Sequence, residues 1–264
     1  MILLIQHELI TPFSLEWCMY NLITVAFIVG IILIGKTVSS KNKNRLSLGL
    51  AILFIFEFVF MELYHHYTNT WIITDSLPLH LCGLMWFVSI YILITKKQWA
   101  FEMMLFIGMP GGLHSLLTPE LTHGNDLLHK IDFFVGHGGL VLIPFYCIFV
   151  LDMWPRKYSW LNSFLKLQVL VVIVFLANLL INYLEFGSLM LPNNVNNLTT
   201  AASTSNYMYL LNPPLADNPL IPPETSFFGK WPYYILIFEL AVFLHALIIN
   251  LPFLINGKNR HQPT

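Results

Sequence analysis

A histidine and a cysteine stand two positions apart in the segment LPLHLCGLMW, residues 77–86. A cysteine thiol can act as a nucleophile when a nearby base takes its proton, and a histidine ring is the most common base. Two positions along a helix are separated by about 200°, so His80 and Cys82 would lie on opposite faces of a helix here. The base that activates Cys82 must therefore come from another segment.

The helix that carries Cys82 is predicted to begin shortly before it. Pro78 suits the first helical turn, and Asp75 or Ser76 is suitably placed to cap the helix. This start puts Cys82 about one turn inside the helix, where the helix dipole favours a thiolate only modestly. Activation of the thiol would then depend on a base.

The segment FFVGHGGL, residues 133–140, supplies a candidate base in His137. The glycines around His137 allow a neighbouring helix or a substrate to approach closely. A second segment, GMPGGLHSLLTP at residues 108–119, is predicted to break its helix and to expose backbone N–H donors to an oxyanion. We predict Cys82 as the nucleophile and His137 as the general base.

The composition of the chain places this chemistry in a membrane. Hydrophobic residues make up 56% of the 264 positions and charged residues only 10%, whereas water-soluble domains carry more charge. A net charge of −1 offers no basic surface, so we expect no nucleic-acid partner. The three cysteines have no spacing that predicts a disulfide framework.

Seven stretches are apolar and long enough to cross the hydrocarbon core, which takes about 20 residues of helix. They lie at about 17–35, 46–66, 77–95, 99–117, 132–152, 164–184 and 231–255. The prediction is an all-α, polytopic membrane helix bundle with seven transmembrane helices in a single domain.

Lysine and arginine residues concentrate in alternate loops of this arrangement. They occupy the first, third and fifth loops and the C-terminal tail, whereas the intervening segments hold only Lys130 and Lys230. Cytoplasmic loops collect Lys and Arg. We therefore predict a multi-pass protein of the cell membrane with its N-terminus outside and its C-terminus in the cytoplasm.

Ionisable and amide side chains within the spans concentrate toward their predicted outer ends. Such groups are costly in a bilayer and by default mark functional sites. A polar cavity that opens outward accounts for them. The residues that we expect to bind substrate around this cavity are His80, His114, Glu62, Asn182, Asn206 and Tyr207.

One long connection, residues 185–230, falls on the predicted outer side. Its proline, asparagine and serine content indicates irregular structure. A connection of this length is either a functional lid or binding loop, or a disordered linker. The sequence leaves both interpretations open.

Five motifs in a fixed order carry a resemblance to a known family: LPLHLCGL, GMPGGLHSLLTPEL, DFFVGHGGLVLIP, NYMYLLNPP and WPYY. Together they resemble the YwaF family of bacterial multi-pass membrane proteins. That family is similar to the vertebrate transmembrane protein 164, a phospholipid acyltransferase, and more distantly to intramembrane hydrolases that use a threonine with a histidine. The resemblance covers nearly the whole chain.

The resemblance implies a helical membrane enzyme in which Cys82 carries the acyl group and His137 activates it. It implies membrane phospholipids and lysophospholipids as partners, and we expect no cofactor and no metal. The family often has an acidic residue where this chain has Gly83, and a second histidine where it has Gly138. The group that orients His137 is therefore open.

Two other functions remain as alternatives. The first is a zinc-dependent membrane hydrolase, because cysteine with histidine is a zinc-ligand set. Its possible ligands are His80, Cys82, His114, His123, His129 and His137. The second is a transporter or receptor that binds a small ligand in the outward cavity, with the long connection as its lid.

Overall fold

Long apolar helices dominate the computed structural model, which describes residues 8–121, 124–190, 204–213, 222–223 and 225–255. In chain order the helices are α1 (Leu15–Thr37), α2 (Ser40–Tyr67), α3 (Leu81–Thr95), α4 (Gln98–Met103), α5 (Met109–Leu117), α6 (Leu127–Phe149), α7 (Ser159–Phe186) and α8 (Tyr233–Ile255). A π-helical turn, Met104–Gly108, joins α4 to α5 into one rod. The short strands β1 (Glu8–Leu9) and β2 (Glu120–Leu121) pair antiparallel.

Six of these helical rods are long and apolar enough to cross a membrane, counting Gln98–Leu117 as one. The predicted all-α polytopic bundle is confirmed. The helix α3 is apolar but shorter, with 15 residues, which corresponds to a length of about 22 Å against a hydrocarbon thickness of about 30 Å. His123 and much of the predicted outer connection lie outside the described residues.

The predicted start of α3 near Pro78 is wrong, because the helix begins at Leu81 with His80 as its N-cap. The preceding segment is held out of the helix by a tertiary contact. The Tyr207 hydroxyl accepts from the Leu77 N–H at 2.9 Å and donates to the Ile73 carbonyl at 2.7 Å. Cys82 consequently lies in the first turn of α3, where a helix favours negative charge.

The same non-helical segment before α3 explains why a glycine stands at position 83. The main chain of Pro78 lies so close to α3 that a Cβ at Gly83 would stand 3.1 Å from three of its atoms. A larger residue here would push this segment away from the helix. The acidic residue expected from the family pattern has no room in this arrangement.

The fourth span is also different from its prediction. The segment at residues 108–119 does not break the helix, since α5 continues through Leu117 and its backbone is helical. Pro110 lacks an N–H and would disturb an ordinary α-helix, and the wide π-helical turn lies immediately before it. The expectation of an open N–H oxyanion site in this segment is therefore wrong.

The rods Gln98–Leu117 and Leu127–Phe149 form the centre of the bundle. In the most apolar 18-residue stretch of each rod, 67% and 61% of the residues are buried, compared with 17% to 28% in the other four long helices. The two rods pack so closely that a Cβ at Gly112 would lie 2.8 Å from the His137 carbonyl oxygen. The bundle thus fixes the backbone of His137 against α5.

Candidate active site

A cavity of about 620 Å³ opens among α2, α3, α5, α6, α7 and α8. It lies at the end of the bundle where α2 and α5 finish and where α3, α6 and α8 begin. We call this the site end of the bundle. The non-helical residues Ser76, Pro78 and His80 line the cavity, and non-helical backbone at membrane depth is tolerated where it lines a cavity.

Cys82 and His137 both line this cavity, and their side chains contact each other. The Ser115 side chain of α5 lies next to the Cys82 thiol and also lines the cavity. Three separate helices, α3, α5 and α6, therefore bring a nucleophile, a hydroxyl and an imidazole to one point. The sequence predicted the first and the third of these groups and missed Ser115.

The ring of His137 is oriented by its own helix. Its Nδ1 lies 2.8 Å from the Phe133 carbonyl oxygen, one turn earlier in α6. That carbonyl can only accept, so Nδ1 carries the proton and Nε2 keeps a lone pair that can take a proton from the thiol. A main-chain carbonyl thus fills the orienting role that the sequence left open.

One side of the cavity is acidic. Its carboxyl groups come from α2, α6 and β2: Glu57, Glu62, Glu120 and Asp132. Glu57 and Asp132 lie next to each other, so two of these carboxyl groups form a close pair. We call this set the acidic side. Asp132 was missed in the sequence, although its position within the predicted fifth span marks it as a candidate.

Two histidines adjoin the acidic side. The Nδ1 of His129 lies 2.7 Å from the Asp126 carboxylate, and its ring stacks on that of His65 with centroids 5.4 Å apart. His129 is only 6% exposed and lines the cavity, yet its Nε2 has no hydrogen-bond partner in the described part of the chain. This buried atom is available to accept from a bound molecule.

The opposite side of the cavity is mostly apolar. The helices α7 and α8 contribute Leu167, Val171, Ile235, Phe238 and Val242. Glu239 of α8 also lies here, and Gln168 donates to its carboxyl at 2.6 Å. We call the five apolar residues the apolar side.

Two of the six predicted substrate-binding residues line the cavity, namely His80 and Glu62. The Nδ1 of His80 accepts from the Met208 N–H at 3.3 Å, and its ring packs against Tyr207 and Tyr209. Glu62 accepts from the Trp71 indole at 3.0 Å. The sequence analysis placed His80 and Cys82 on opposite faces of one helix. His80 instead precedes α3 as its N-cap residue, and this position separates it from Cys82.

Asn182, Asn206 and Tyr207 serve the fold of the segment 204–213. Asn182 exchanges two hydrogen bonds with Ser205, of 3.1 and 2.7 Å. The Asn206 side chain bonds three main-chain groups of residues 211 and 212. Burial raises the pKa of Tyr207, so its phenol stays neutral and bridges residues 73 and 77. None of the three lines the main cavity.

Asn178 completes the attachment of this segment to α7. Its amide donates to the Tyr207 carbonyl at 2.9 Å and accepts from the Ser205 hydroxyl and the Tyr207 N–H at 2.7 and 2.9 Å. We call Asn178, Asn182, Ser205 and Tyr207 the clasp. The clasp holds Met208, Tyr209 and Leu210 against the cavity, which they line.

His114 lies apart from the main cavity. Its Nε2 is 3.0 Å from the Nε2 of His245, and both line a smaller pocket of about 180 Å³ between α5 and α8. The Nδ1 of His245 lies 2.6 Å from the Ala241 carbonyl. Among the described residues, no group of three or more His, Cys, Asp or Glu side chains is arranged to hold a metal ion.

Among known protein families, one has a model that matches this chain. No curated protein and no solved structure matches the chain. The model of the TMEM164 family matches residues 10–250. This match confirms the resemblance to transmembrane protein 164 and does not test the YwaF assignment. Because the match spans most of the chain and the fold is a bundle of membrane helices, this protein belongs to the TMEM164 family.

Proposed function

We propose that this protein is a membrane-embedded acyltransferase that acts on phospholipids or lysophospholipids through a thioester on Cys82. The observation that carries the proposal is the contact of the Cys82 thiol with His137, whose other ring nitrogen is bonded to Phe133. A thiol, a base of fixed tautomer and a cavity are among the parts that acyl transfer needs.

The reaction begins with proton transfer from the Cys82 thiol to Nε2 of His137. The thiolate sulfur attacks the ester carbonyl carbon of a phospholipid and forms a C–S bond, and the ester C–O bond then breaks. The leaving alkoxide takes the proton from His137 and departs as a lysophospholipid, which leaves the acyl group on sulfur. In the second half, an acceptor hydroxyl gives its proton to His137, attacks the thioester carbon and expels the thiolate.

The division of the cavity into two sides suits a lipid. An amphipathic substrate places its head group against polar side chains and its chains against apolar ones. The acidic side carries carboxyl groups and the acceptor Nε2 of His129, whereas the apolar side carries aliphatic and aromatic side chains. A phospholipid lying across the cavity satisfies both surfaces.

The acidic side favours one class of head group. The described residues that line the cavity include five carboxyl groups, four of them on the acidic side, and no lysine or arginine. Such a surface attracts hydrogen-bond donors and positive charge and repels a net negative charge. We propose that the substrates are lipids whose head groups carry an ammonium or hydroxyl donor, in the outer leaflet of the cell membrane.

The test is acyl exchange between a labelled phospholipid and an unlabelled lysophospholipid, measured with purified protein in vesicles. The variants are Cys82→Ala and Cys82→Ser, with Cys147→Ala as the matched control because Cys147 is fully buried away from the cavity. We expect exchange in the unaltered protein and the control, and its loss in the Cys82→Ala variant. Unchanged exchange in Cys82→Ala would exclude the thioester route.

The same assay separates a transferase from a hydrolase. In a transferase, added lysophospholipid accepts the acyl group and little free fatty acid forms. In a hydrolase, water accepts the acyl group and fatty acid accumulates whether or not lysophospholipid is present. We expect the first result.

A further inference from the structure

The π-helical turn Met104–Gly108 sets which face of α5 meets Cys82. An α-helix turns about 100° per residue, and a π-helical turn contains one extra residue. All side chains after the turn are therefore rotated by roughly 100° from where an uninterrupted α-helix would place them. Wide turns of this kind are frequent at functional sites.

Two residues of α5 face the Cys82 sulfur after this rotation. A methyl group in place of the Gly111 hydrogen would lie 3.8 Å from the sulfur, so the helix backbone passes directly beside it. Ser115 stands four positions later, on the same face, lines the cavity, and has its side chain next to the thiol. An uninterrupted α-helix would turn this face by roughly 100° from its position here.

We propose that Ser115 is a further catalytic residue, whose hydroxyl donates a hydrogen bond to the Cys82 sulfur. This inference rests on the proposed function. The hydroxyl stabilises the thiolate that forms when His137 takes the proton. It stabilises the same thiolate again when the acceptor lipid expels sulfur from the thioester, because negative charge returns to the sulfur in that step.

The roles of Ser115 and His137 are complementary. His137 uses Nε2 to accept the thiol proton, since its Nδ1 is bonded to the Phe133 carbonyl. A thiolate that has lost its proton to His137 needs a donor, and the Ser115 hydroxyl supplies it without entering the proton balance of the reaction. The first turn of α3, which holds Cys82, adds the favourable helix dipole.

The experiment measures the alkylation of Cys82 by iodoacetamide across pH, in purified protein without lipid. Peptide mass spectrometry reports Cys82 separately from Cys18 and Cys147. The variants are Ser115→Ala and Ser115→Thr, and the control is Ser89→Ala on α3, whose hydroxyl donates to the Met85 carbonyl at 3.0 Å. Acyl exchange is measured on the same preparations.

Only the thiolate reacts with iodoacetamide. We expect Ser115→Ala to slow alkylation at pH 7 by about tenfold, because a hydrogen bond to a charged group is lost. The rates should converge at high pH, where the thiol is fully ionised. Ser115→Thr, which keeps a hydroxyl, should restore most of the rate, and Ser89→Ala should match the unaltered protein. Acyl exchange should fall with the alkylation rate in Ser115→Ala and recover in Ser115→Thr.

Equal pH 7 alkylation rates in the Ser115→Ala and unaltered proteins would overturn the proposal. So would a slowing that is the same at every pH, because that result indicates altered access to the thiol. Slower alkylation with full acyl exchange would remove Ser115 from catalysis. Failure of the proposed function is a separate result, since it is seen as acyl exchange that survives Cys82→Ala.

Discussion

Two of the polar clusters in the described part of this apolar bundle differ in whether they border an open cavity. Glu102, only 2% exposed, accepts from the Arg156 side chain at 2.9 and 2.7 Å, from the Arg156 N–H at 3.0 Å and from Gln98 at 3.0 Å. The cluster at the site end surrounds an open cavity, and there the His129 Nε2 is buried with no partner in the described structure.

The difference shows how a polar residue in a membrane protein can be interpreted. A charged group that is fully bonded within the fold, such as Glu102, fixes the relative position of helices. A group that lines a cavity with bonding capacity left over is available to a substrate. Position in a span alone does not separate the two cases. Substitutions in the two clusters should therefore affect different properties.

The largest expected effect comes from His137→Ala at the site end. Loss of the general base should lower acyl exchange by about 10²–10⁴-fold, with no comparable loss of stability. The measurement is the initial rate of acyl exchange together with the thermal midpoint. His66→Ala is the control, because His66 stacks on Trp71 and does not line the cavity. A His137→Ala variant with full activity would remove it from the mechanism.

The variant Arg156→Ala should show the reverse pattern. It leaves the buried Glu102 carboxylate without its cation; because the Arg156 side chain is 52% exposed, we expect a cost of about 1–3 kcal/mol of unfolding free energy, less than for a fully buried ion pair. Activity per folded molecule should stay within about twofold, a difference of about 0.4 kcal/mol. Thermal unfolding in detergent measures the first effect, with the neighbouring exposed Lys157→Ala as control. An active-site defect at full stability would contradict the comparison.

Asn178→Ala tests the clasp, which belongs to neither cluster. It removes three hydrogen bonds and leaves the Ser205 hydroxyl and the Tyr207 main chain without their partner, at a cost of about 1–3 kcal/mol. We expect faster proteolysis of the 204–213 segment and a raised KM for lipid, because Met208 and Tyr209 line the cavity. Thr95→Ala, at an exposed helix end, is the control. Unchanged proteolysis would show that the clasp does not hold this segment.

The smallest expected effect is on selectivity at the acidic side. Glu57→Gln and Asp132→Asn each remove one carboxyl group from the acidic side of the cavity. We expect the preference for zwitterionic over anionic phospholipid to fall roughly fivefold, or about 1 kcal/mol. Exchange rates with the two lipid classes give the ratio. A stronger preference for zwitterionic lipid in either variant would contradict the assignment of the head group to this side.

The helical bundle, and the meeting of Cys82 with His137 at one level of it, could be predicted because both depend on local signals. Long apolar runs predict spans, and the glycines beside His137 predict close packing, which Gly112 provides from α5 as well. The start of α3 could not be predicted in this way. It depends on the contact of Leu77 with Tyr207, 130 positions away in the chain.

The other differences between prediction and structure also come from features that leave no local signal in the sequence. Ser115 was missed because its direction depends on a π-helical turn that apolar periodicity does not reveal. Asn182, Asn206 and Tyr207 were expected to bind substrate because they are polar residues at the site end. Their hydrogen-bond partners lie within the fold, and such pairing between a helix and a distant loop has no signature in the sequence.

The most direct test of the central claim is the mass of the intact protein after exposure to a defined phospholipid and no acceptor. We predict an added mass equal to one acyl group, mapped to Cys82 by peptide analysis, absent in Cys82→Ala and removed by neutral hydroxylamine, which cleaves thioesters. Addition of lysophospholipid should discharge the adduct and form the new phospholipid. Acyl exchange that proceeds with no adduct on Cys82, or an adduct on another residue, would contradict the account.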